Sequence, residues 1–243
     1  MIQTKLDYIT IDDIKVGLYN SGPIGVGVSG GADSAILLYI LMSNIKNHIY
    51  IYNMMSEYRR PILEKHFDMV VKTCSELTDN KNYTVRKYYV DPDESAEFYI
   101  NMLNDALNKK EVDMIYLGLT EFPPEDLWLS WPGQQPDWHN EFRKDGVEKP
   151  LFGFNIPIKQ DTNFKIAPLT IDGTMKEKLS IDERVYIPLF NHNKQDIARL
   201  YRTLDVEDVI FPITRSCEND NHPGSHCGEC WWCRERRWGF GYV

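Results

Sequence analysis

The sequence predicts an α/β fold in which a parallel five-stranded sheet carries helices on both faces, with a small cysteine-bearing lobe at its C-terminal end. Three observations predict it. Five β-rich runs alternate with helix-period segments, a glycine-rich turn follows the first of those runs, and four of the five cysteines fall in the last 30 or so residues. Strands alternating with helices of this length require crossover connections, which place the strands parallel and cover both faces of the sheet.

Ile24-Gly25-Val26-Gly27-Val28 reads as a short buried strand, and Asp33 or Ser34 can cap a helix through the apolar stretch Ala35 to Met42. Ile49 to Tyr52 is the second strand. Pro61 suits a helix start, and Leu63, Phe67, Val70, Cys74 and Leu77 are spaced by 4, 3, 4 and 3 residues, one helical face with Cys74 in the core. Tyr83 to Val90 is the third strand. Asp93 and Glu94 suit the first turn of a helix carrying Ala96, Tyr99, Leu103, Ala106 and Leu107. Val112 to Leu119 is the fourth strand and Arg184 to Leu189 the fifth, after which Asn193 caps a helix through Leu204 with Asp196 in an imperfect capping box. Residues 1–204 form one nucleotide-binding unit and 205–243 the appended lobe. Within the first, the stretch 121–168 holds seven of the thirteen prolines and three of the six tryptophans (Trp128, Trp131, Trp138), the composition of an ordered loop or lid rather than a flexible linker.

Composition narrows the partners. The 243 residues carry 27 Lys+Arg against 36 Asp+Glu, a net charge of −9. No broad basic face for nucleic acid follows from that balance. The longest apolar run, Ala35 to Met42, is eight residues, against the roughly twenty of a membrane span. The chain opens without a secretory apolar segment. These features predict a cytoplasmic protein with a small-molecule substrate and no membrane contact.

Ser29-Gly30-Gly31-Ala32-Asp33-Ser34 lies where a strand becomes a helix, so backbone N–H groups and the helix N-terminus converge on a place for an anion. The Ser29 and Ser34 hydroxyls add donors, and Asp33 offers a carboxylate to a metal ion or amide. A plain capped turn is the alternative. The Walker A pattern is absent. Gly25 to Gly30 matches G-x-G-x-x-G by letter, but Gly25 and Gly27 alternate with Ile24, Val26 and Val28 as strand residues.

Cys217-x9-Cys227-x2-Cys230-x2-Cys233 places four thiols within seventeen residues, enough for a closed S₄ zinc site. Structural zinc contributes on the order of 10 kcal/mol to the folding of small metal modules. Disulfides are disfavoured in the cytoplasm, and an iron–sulfur cluster is the remaining alternative. His222 and His226 lie inside the ligand loop and read as solvated or as neighbours of the ligands. Trp231, Trp232 and Trp238 read as packing around the metal. Arg234, Arg236 and Arg237, offset by Glu229 and Glu235, read as a solvated helix face.

Ser-Gly-Gly-x-Asp-Ser after the first strand resembles the signature of the PP-loop, or N-type, ATP pyrophosphatase superfamily, with Ser29, Gly30, Gly31, Asp33 and Ser34 matching and Ala32 at the variable position. Ser216-Cys217 followed by Cys227-Gly228-x-Cys230-x2-Cys233-x2-Arg236, preceded by Ile187-Pro188-Leu189, Lys194 and Thr214-Arg215, is similar to the 7-cyano-7-deazaguanine synthase family, QueC. The resemblance implies a Rossmann-like adenine nucleotide alpha hydrolase fold and a homodimer. It implies ATP, Mg²⁺ and Zn²⁺ as cofactors, and conversion of 7-carboxy-7-deazaguanine and ammonia to the nitrile preQ0 through adenylated intermediates. On that reading Ser29, Asp33, Ser34 and Lys194 are catalytic, with Lys194 a mobile cation on the phosphates. Ser29 to Ser34, Asn53 and Gly118 bind the cofactor, and Cys217, Cys227, Cys230 and Cys233 bind the metal. The chain departs from the family after the second strand, where Asn53 to Arg60 replaces a Tyr-Gly-Gln-x-His stretch, and in the 121–168 insert. A different acceptor in a multi-protein defence or modification system, or tRNA modification, remains the alternative.

Overall fold

The computed structural model describes residues 6–56, 60–90, 95–124, 126–127, 130–131, 150–151, 154–155, 184–217, 219 and 226–243. Most of the 121–168 insert, including Trp128 and Trp138, therefore lies outside the described residues, as does His222.

The main sheet is built from β3 (Ile24–Gly27), β4 (Ile49–Ser56), β5 (Tyr83–Val90), β6 (Met114–Leu117) and β9 (Val185–Tyr186), in the spatial order β5-β4-β3-β6-β9. Every pairing is parallel, with Ile24 opposite both Ile49 and Met114. The five predicted strands are thus present, the fourth and fifth shorter than their apolar runs. The chain builds outward from β3 to β5 and then returns to place β6 against the other side of β3. That reversal opens a crevice beyond the C-terminal ends of β3 and β6, the place where open α/β sheets seat ligands.

Two apolar layers cover the sheet. On one face Ile24, Val26, Ile49, Ile51, Met114 and Tyr116 pack with α1 (Ala32–Asn44), α2 (Arg60–Thr78) and α4 (Lys194–Thr203). On the other, Tyr52, Ile115, Leu117 and Val185 pack with Met102, Leu103, Ala106 and Leu107 of α3 (Ser95–Asn108). The residues of β3 that face this second layer are Gly25 and Gly27. A Cβ at Gly25 would come within 2.8 Å of the Tyr52 ring, and one at Gly27 within 2.8 Å of Leu117. These glycines make room for large neighbours inside a strand, in line with discounting the G-x-G-x-x-G match.

Some sequence expectations need correction. In α2, Phe67, Val70 and Cys74 are fully buried, but Leu77 is 46% exposed and Val71 is buried in its stead. A strict 4-3-4-3 spacing drifts by about 20° per heptad around a straight α-helix, enough to rotate the last position out of the core. Burial pushes the Cys74 thiol up to about 12, consistent with an inert core residue. The cap of α1 is Gly31 rather than Asp33 or Ser34. An antiparallel hairpin of β1 (Asp7–Ile11) and β2 (Ile14–Leu18), to which the sequence reading assigns nothing, turns at Asp12 with φ 57° and buries Ile14, Val16 and Leu18. Tyr116 and Tyr186 anchor it: Tyr116 Oη donates to the Gly17 carbonyl at 3.1 Å, and the Gly17 N–H donates to Tyr186 Oη at 3.3 Å.

Short strands β7 (Pro150–Leu151) and β8 (Phe154–Asn155) pair within the insert. After α4 come α5 (Glu207–Ile210), a 3₁₀ turn (Phe211–Ile213) and α6 (Trp231–Phe240). Phe211 and Phe240 stack at 3.6 Å and meet Tyr201 of α4 edge-on, so the C-terminal helix closes the same apolar layer that holds α1.

Gly118, just past β6, sets the distance between the sheet and α1. A Cβ there would lie 2.7 Å from Ser34 Cα and 2.8 Å from Ser34 N, contacts with main chain that cannot move aside cheaply. Gly118→Ala should lower stability by about 1–3 kcal/mol through overpacking. An unchanged urea midpoint would show that this approach is not constraining.

Candidate active site

The turn between β3 and α1 is held by its own hydroxyls and by the strands beside it. Gly30 adopts φ 86°, the left-handed conformation that turns the chain back toward the sheet. Ser34 Oγ donates to the Gly31 carbonyl at 3.2 Å and accepts from the Ser29 N–H at 3.1 Å, while Ser29 Oγ accepts from the Gly31 N–H at 3.2 Å. Among the described residues no side chain caps α1. Helix geometry leaves the first N–H groups of a helix without intrahelical acceptors, so those of Ala32, Asp33 and Ser34 begin an uncapped helix beneath the turn, at the positive end of its dipole.

Asn53 supports this turn from β4. It is 1% exposed, its Nδ2 donates to the Val28 carbonyl at 2.6 Å, and its Oδ1 has no partner among the described residues. Its visible role is to fix the residue before Ser29. Gly118 likewise lies against the main chain of Asp33 and Ser34, a packing position at the mouth of the crevice.

Lys194 is the first residue of α4, whose capping box between Asn193 and Asp196 forms completely. Its Nζ donates to Asp33 Oδ1 at 2.7 Å and Oδ2 at 2.6 Å and lies 3.3 Å from Glu235 Oε2. Lys194 is 4% exposed and Glu235 2%. A Cβ on Gly239 would come within 2.6 Å of Lys194 Cγ and of its carbonyl, so α6 also packs on the stem. The expected mobile cation is instead a fixed one. Two carboxylates face a single ammonium because burial makes each unpaired charge costly. Burial works to lower the Lys194 pKa, but Asp33 and Glu235 outweigh it and hold the ammonium above its ordinary range. Burial pushes Glu235 up to about 7 against the pull of Lys194. Thr120, beyond β6, donates to Asp33 Oδ2 at 3.2 Å, occupying the carboxylate from a third side.

Glu235 was expected on a solvated face, as was Arg236, and both are buried. Arg236 donates to Thr214 Oγ1 at 2.7 Å and to the Phe211 carbonyl at 2.9 Å, and its guanidinium lies 3.7 Å over the Phe211 ring. Burial lowers its pKa to about 10. The only sequence signal for this inward face was helical: Glu235 follows Trp231 by four residues and Arg236 precedes Phe240 by four, and all four are buried.

Cys217, Cys227, Cys230 and Cys233 converge, with all four sulfur atoms within 4.8 Å of one another. Cys227 and Cys233 are 3.8 Å apart, and Cys217 and Cys230 4.0 Å. A tetrahedral ion with Zn–S near 2.3 Å needs sulfur separations of about 3.8 Å, so the donor set and its spacing fit a single metal ion. The Cys227 N–H points to Cys217 Sγ at 3.4 Å and the Cys230 N–H to Cys227 Sγ at 3.3 Å, contacts that orient and partly neutralise bound thiolates. Trp231 packs beside the cluster with Phe122, Trp131 and Trp232 at 5.3, 5.9 and 4.7 Å, tying the start of the insert to the lobe. His226 is half-buried, and burial with Arg236, Arg215 and His66 lowers its pKa to about 4.

The lobe and the turn are in direct contact. The Arg215 N–H donates to the Gly30 carbonyl at 2.9 Å, and Glu235 reaches Lys194 from two residues beyond Cys233. Replacing Lys194 by Met removes the cation between the buried Glu235 and the partly buried Asp33. The expected loss of stability is about 3–5 kcal/mol, read from urea unfolding. A loss below about 1 kcal/mol, the scale of an exposed pair, would contradict a buried bridge.

Among known proteins, residues 164–243 match the model of the family described as "Queuosine biosynthesis protein QueC". No curated protein sequence matches the chain. Similar solved structures include the U34-tRNA thiolase NcsA from Methanococcus maripaludis with its [4Fe-4S] cluster, at 13% identity over 92% of this chain and 73% of that one, with a TM-score of 0.45. An NMN synthetase from Francisella tularensis is similar at 11% identity over 90% and 77%, TM-score 0.42. The NAD+ synthetase from Burkholderia pseudomallei is similar at 11% identity over 91% and 74%, TM-score 0.31. Likeness at this level leaves the site to be read from the chain's own residues. Over its C-terminal third, which holds Lys194, Glu235 and all four clustered cysteines, the chain is QueC-like.

Proposed function

We propose that the protein is an ATP-dependent, AMP- and pyrophosphate-forming ligase that adenylates a carboxylate and joins it to ammonia, with 7-carboxy-7-deazaguanine as acceptor and preQ0 as product. The observation that carries this reading is the uncapped N-terminus of α1 at the β3–β6 crevice, with Asp33 and Lys194 paired beside it, in a chain whose C-terminal third matches the QueC family.

In this reaction a carboxylate oxygen attacks the α-phosphorus, the bond to the β-phosphate oxygen breaks, and pyrophosphate leaves with the negative charge. Ammonia then displaces AMP to give the amide. A second adenylation, on the amide oxygen, lets the nitrile form with departure of AMP. The chain's part is to hold the leaving group. Main-chain N–H groups of the turn at the start of α1 face charge that grows on pyrophosphate, where one well-placed donor is worth about 3 kcal/mol in the barrier. The hydroxyls of Ser29 and Ser34, bonded within the turn, hold it in shape and would turn toward the phosphates once these are bound. Lys194 adds a fixed positive charge behind Asp33. Asp33, the more exposed of its two carboxylate partners at 17%, would hold Mg²⁺, which would supply charge shielding to the phosphates. Asn53 and Gly118 keep the turn and β6 at the distance the nucleotide requires.

The four cysteines would hold zinc, which supplies a structural cross-link to a lobe with little core of its own. The short sulfur separations support a single ion over an iron–sulfur cluster, whose own irons and sulfides spread the thiolates apart. Residues 1–204 then form the ATP unit and 205–243 the metal lobe, acting as a homodimer in the cytoplasm.

The test is product analysis with ATP, Mg²⁺, 7-carboxy-7-deazaguanine and ammonium. AMP and pyrophosphate should appear together and only with the acceptor present, and release of ADP would overturn the reading. Metal analysis of the same preparation should give one zinc per chain and no visible absorption. Iron with acid-labile sulfide would replace the zinc assignment.

A further inference from the structure

One hydroxyl beside the turn comes from a distant part of the chain. Ser216 is held from both sides: Arg215, before it, donates its N–H to the Gly30 carbonyl at 2.9 Å, and Cys217, after it, is buried in the thiol cluster. A Cβ built on Gly31 would lie 3.3 Å from Ser29 Oγ and 3.7 Å from Ser216 Oγ. The two hydroxyls therefore flank the same side of the residue that caps α1. Ser29 Oγ is engaged within the turn. Ser216, half-buried, makes no hydrogen bond to any described residue. Its hydroxyl is a donor left over at the edge of an anion cradle.

The surroundings favour negative charge at that edge. Arg215 is 4% exposed and Arg236 1%. His66, whose Nδ1 donates to the Ile213 carbonyl at 2.8 Å, has its protonated form disfavoured by burial and then by Arg215, Lys65 and Arg236. Two buried arginines thus flank the irregular segment that carries Ser216, Arg215 next to it in the chain and Arg236 through its bond to Thr214 Oγ1 at 2.7 Å. A phosphate oxygen seated at Gly31 would meet their field in a low-dielectric place.

We propose that Ser216 is a further ligand of the nucleotide, its Oγ–H donating to a non-bridging oxygen of the β- or γ-phosphate seated on the Ser29–Ser34 turn. The segment that enters the metal site then forms the second wall of the phosphate site, and the metal, by fixing Cys217, fixes that wall. This rests on the reading of the turn as the seat of ATP.

Calorimetric titration of the metal-loaded full chain with a non-hydrolysable α,β-methylene ATP, with Mg-pyrophosphate and with AMP tests it. Ser216→Ala should weaken the ATP analogue and pyrophosphate about tenfold, the loss expected for one hydrogen bond to a charged group. Affinity for AMP, metal content and Tm should stay at wild-type values. Ser216→Thr, which keeps the hydroxyl, should restore binding to within about twofold on the same basis. Equal binding by Ser216→Ala overturns the inference alone. Weakening shared by AMP, or accompanied by metal loss, overturns it in favour of a structural role. Wild-type protein that binds neither the analogue nor pyrophosphate overturns both the inference and the seat it rests on.

Discussion

The buried ammonium of Lys194 is the interaction on which the arrangement of the site depends. It joins Asp33 in the first turn of α1 to Glu235 in α6, and it opens α4, so three helices distant in sequence meet at one charge. Burying such a group is unfavourable unless its partners are held in place. Here the turn, the capping box of α4 and the packing of Gly239 on the lysine stem hold them. Any displacement of α6 would separate Glu235 from Lys194 and leave that carboxylate unmatched in the interior, with the ammonium held by Asp33 alone.

That bridge explains why the cysteine cluster and the glycine-rich turn belong to one site although nearly two hundred residues separate them. Cys233 and Glu235 lie on the same short helix, and Cys217 follows by two residues Arg215, whose N–H binds the Gly30 carbonyl. A metal held by the four thiols would be tied to the turn through two short covalent paths, Cys217 to Arg215 and Cys233 to Glu235. In the proposed reaction the metal does no chemistry, and its contribution is the precision with which Arg215, Ser216 and Glu235 stand against the phosphate seat.

Much of this was legible in the sequence, and the parts that were not share a cause. Alternating hydrophobic periods gave the five parallel strands, because strands buried on both faces read as continuous apolar runs. The Ser29–Ser34 turn and the cysteine spacing were legible because their chemistry is local. The capping box at Asn193 was also local, and it formed. The hairpin at 7–18 carries the same local signal in the alternation of Ile14, Val16 and Leu18, over three positions only. Glu235 and Arg236 were misplaced on a solvated face because their partners, Lys194, Thr214 and Phe211, lie on other elements, and no spacing within one helix announces them. The same holds for the immobility of Lys194, which tertiary packing imposes on a residue type that is mobile by default.

The claim that everything else serves is that the turn grips the diphosphate end of ATP. A crystal structure of the metal-loaded protein with Mg²⁺ and α,β-methylene ATP tests it most directly. The account predicts β- and γ-phosphate oxygens within hydrogen-bond reach of the main-chain N–H groups between Gly30 and Ser34. A triphosphate bound elsewhere, with that turn left to solvent, would contradict it.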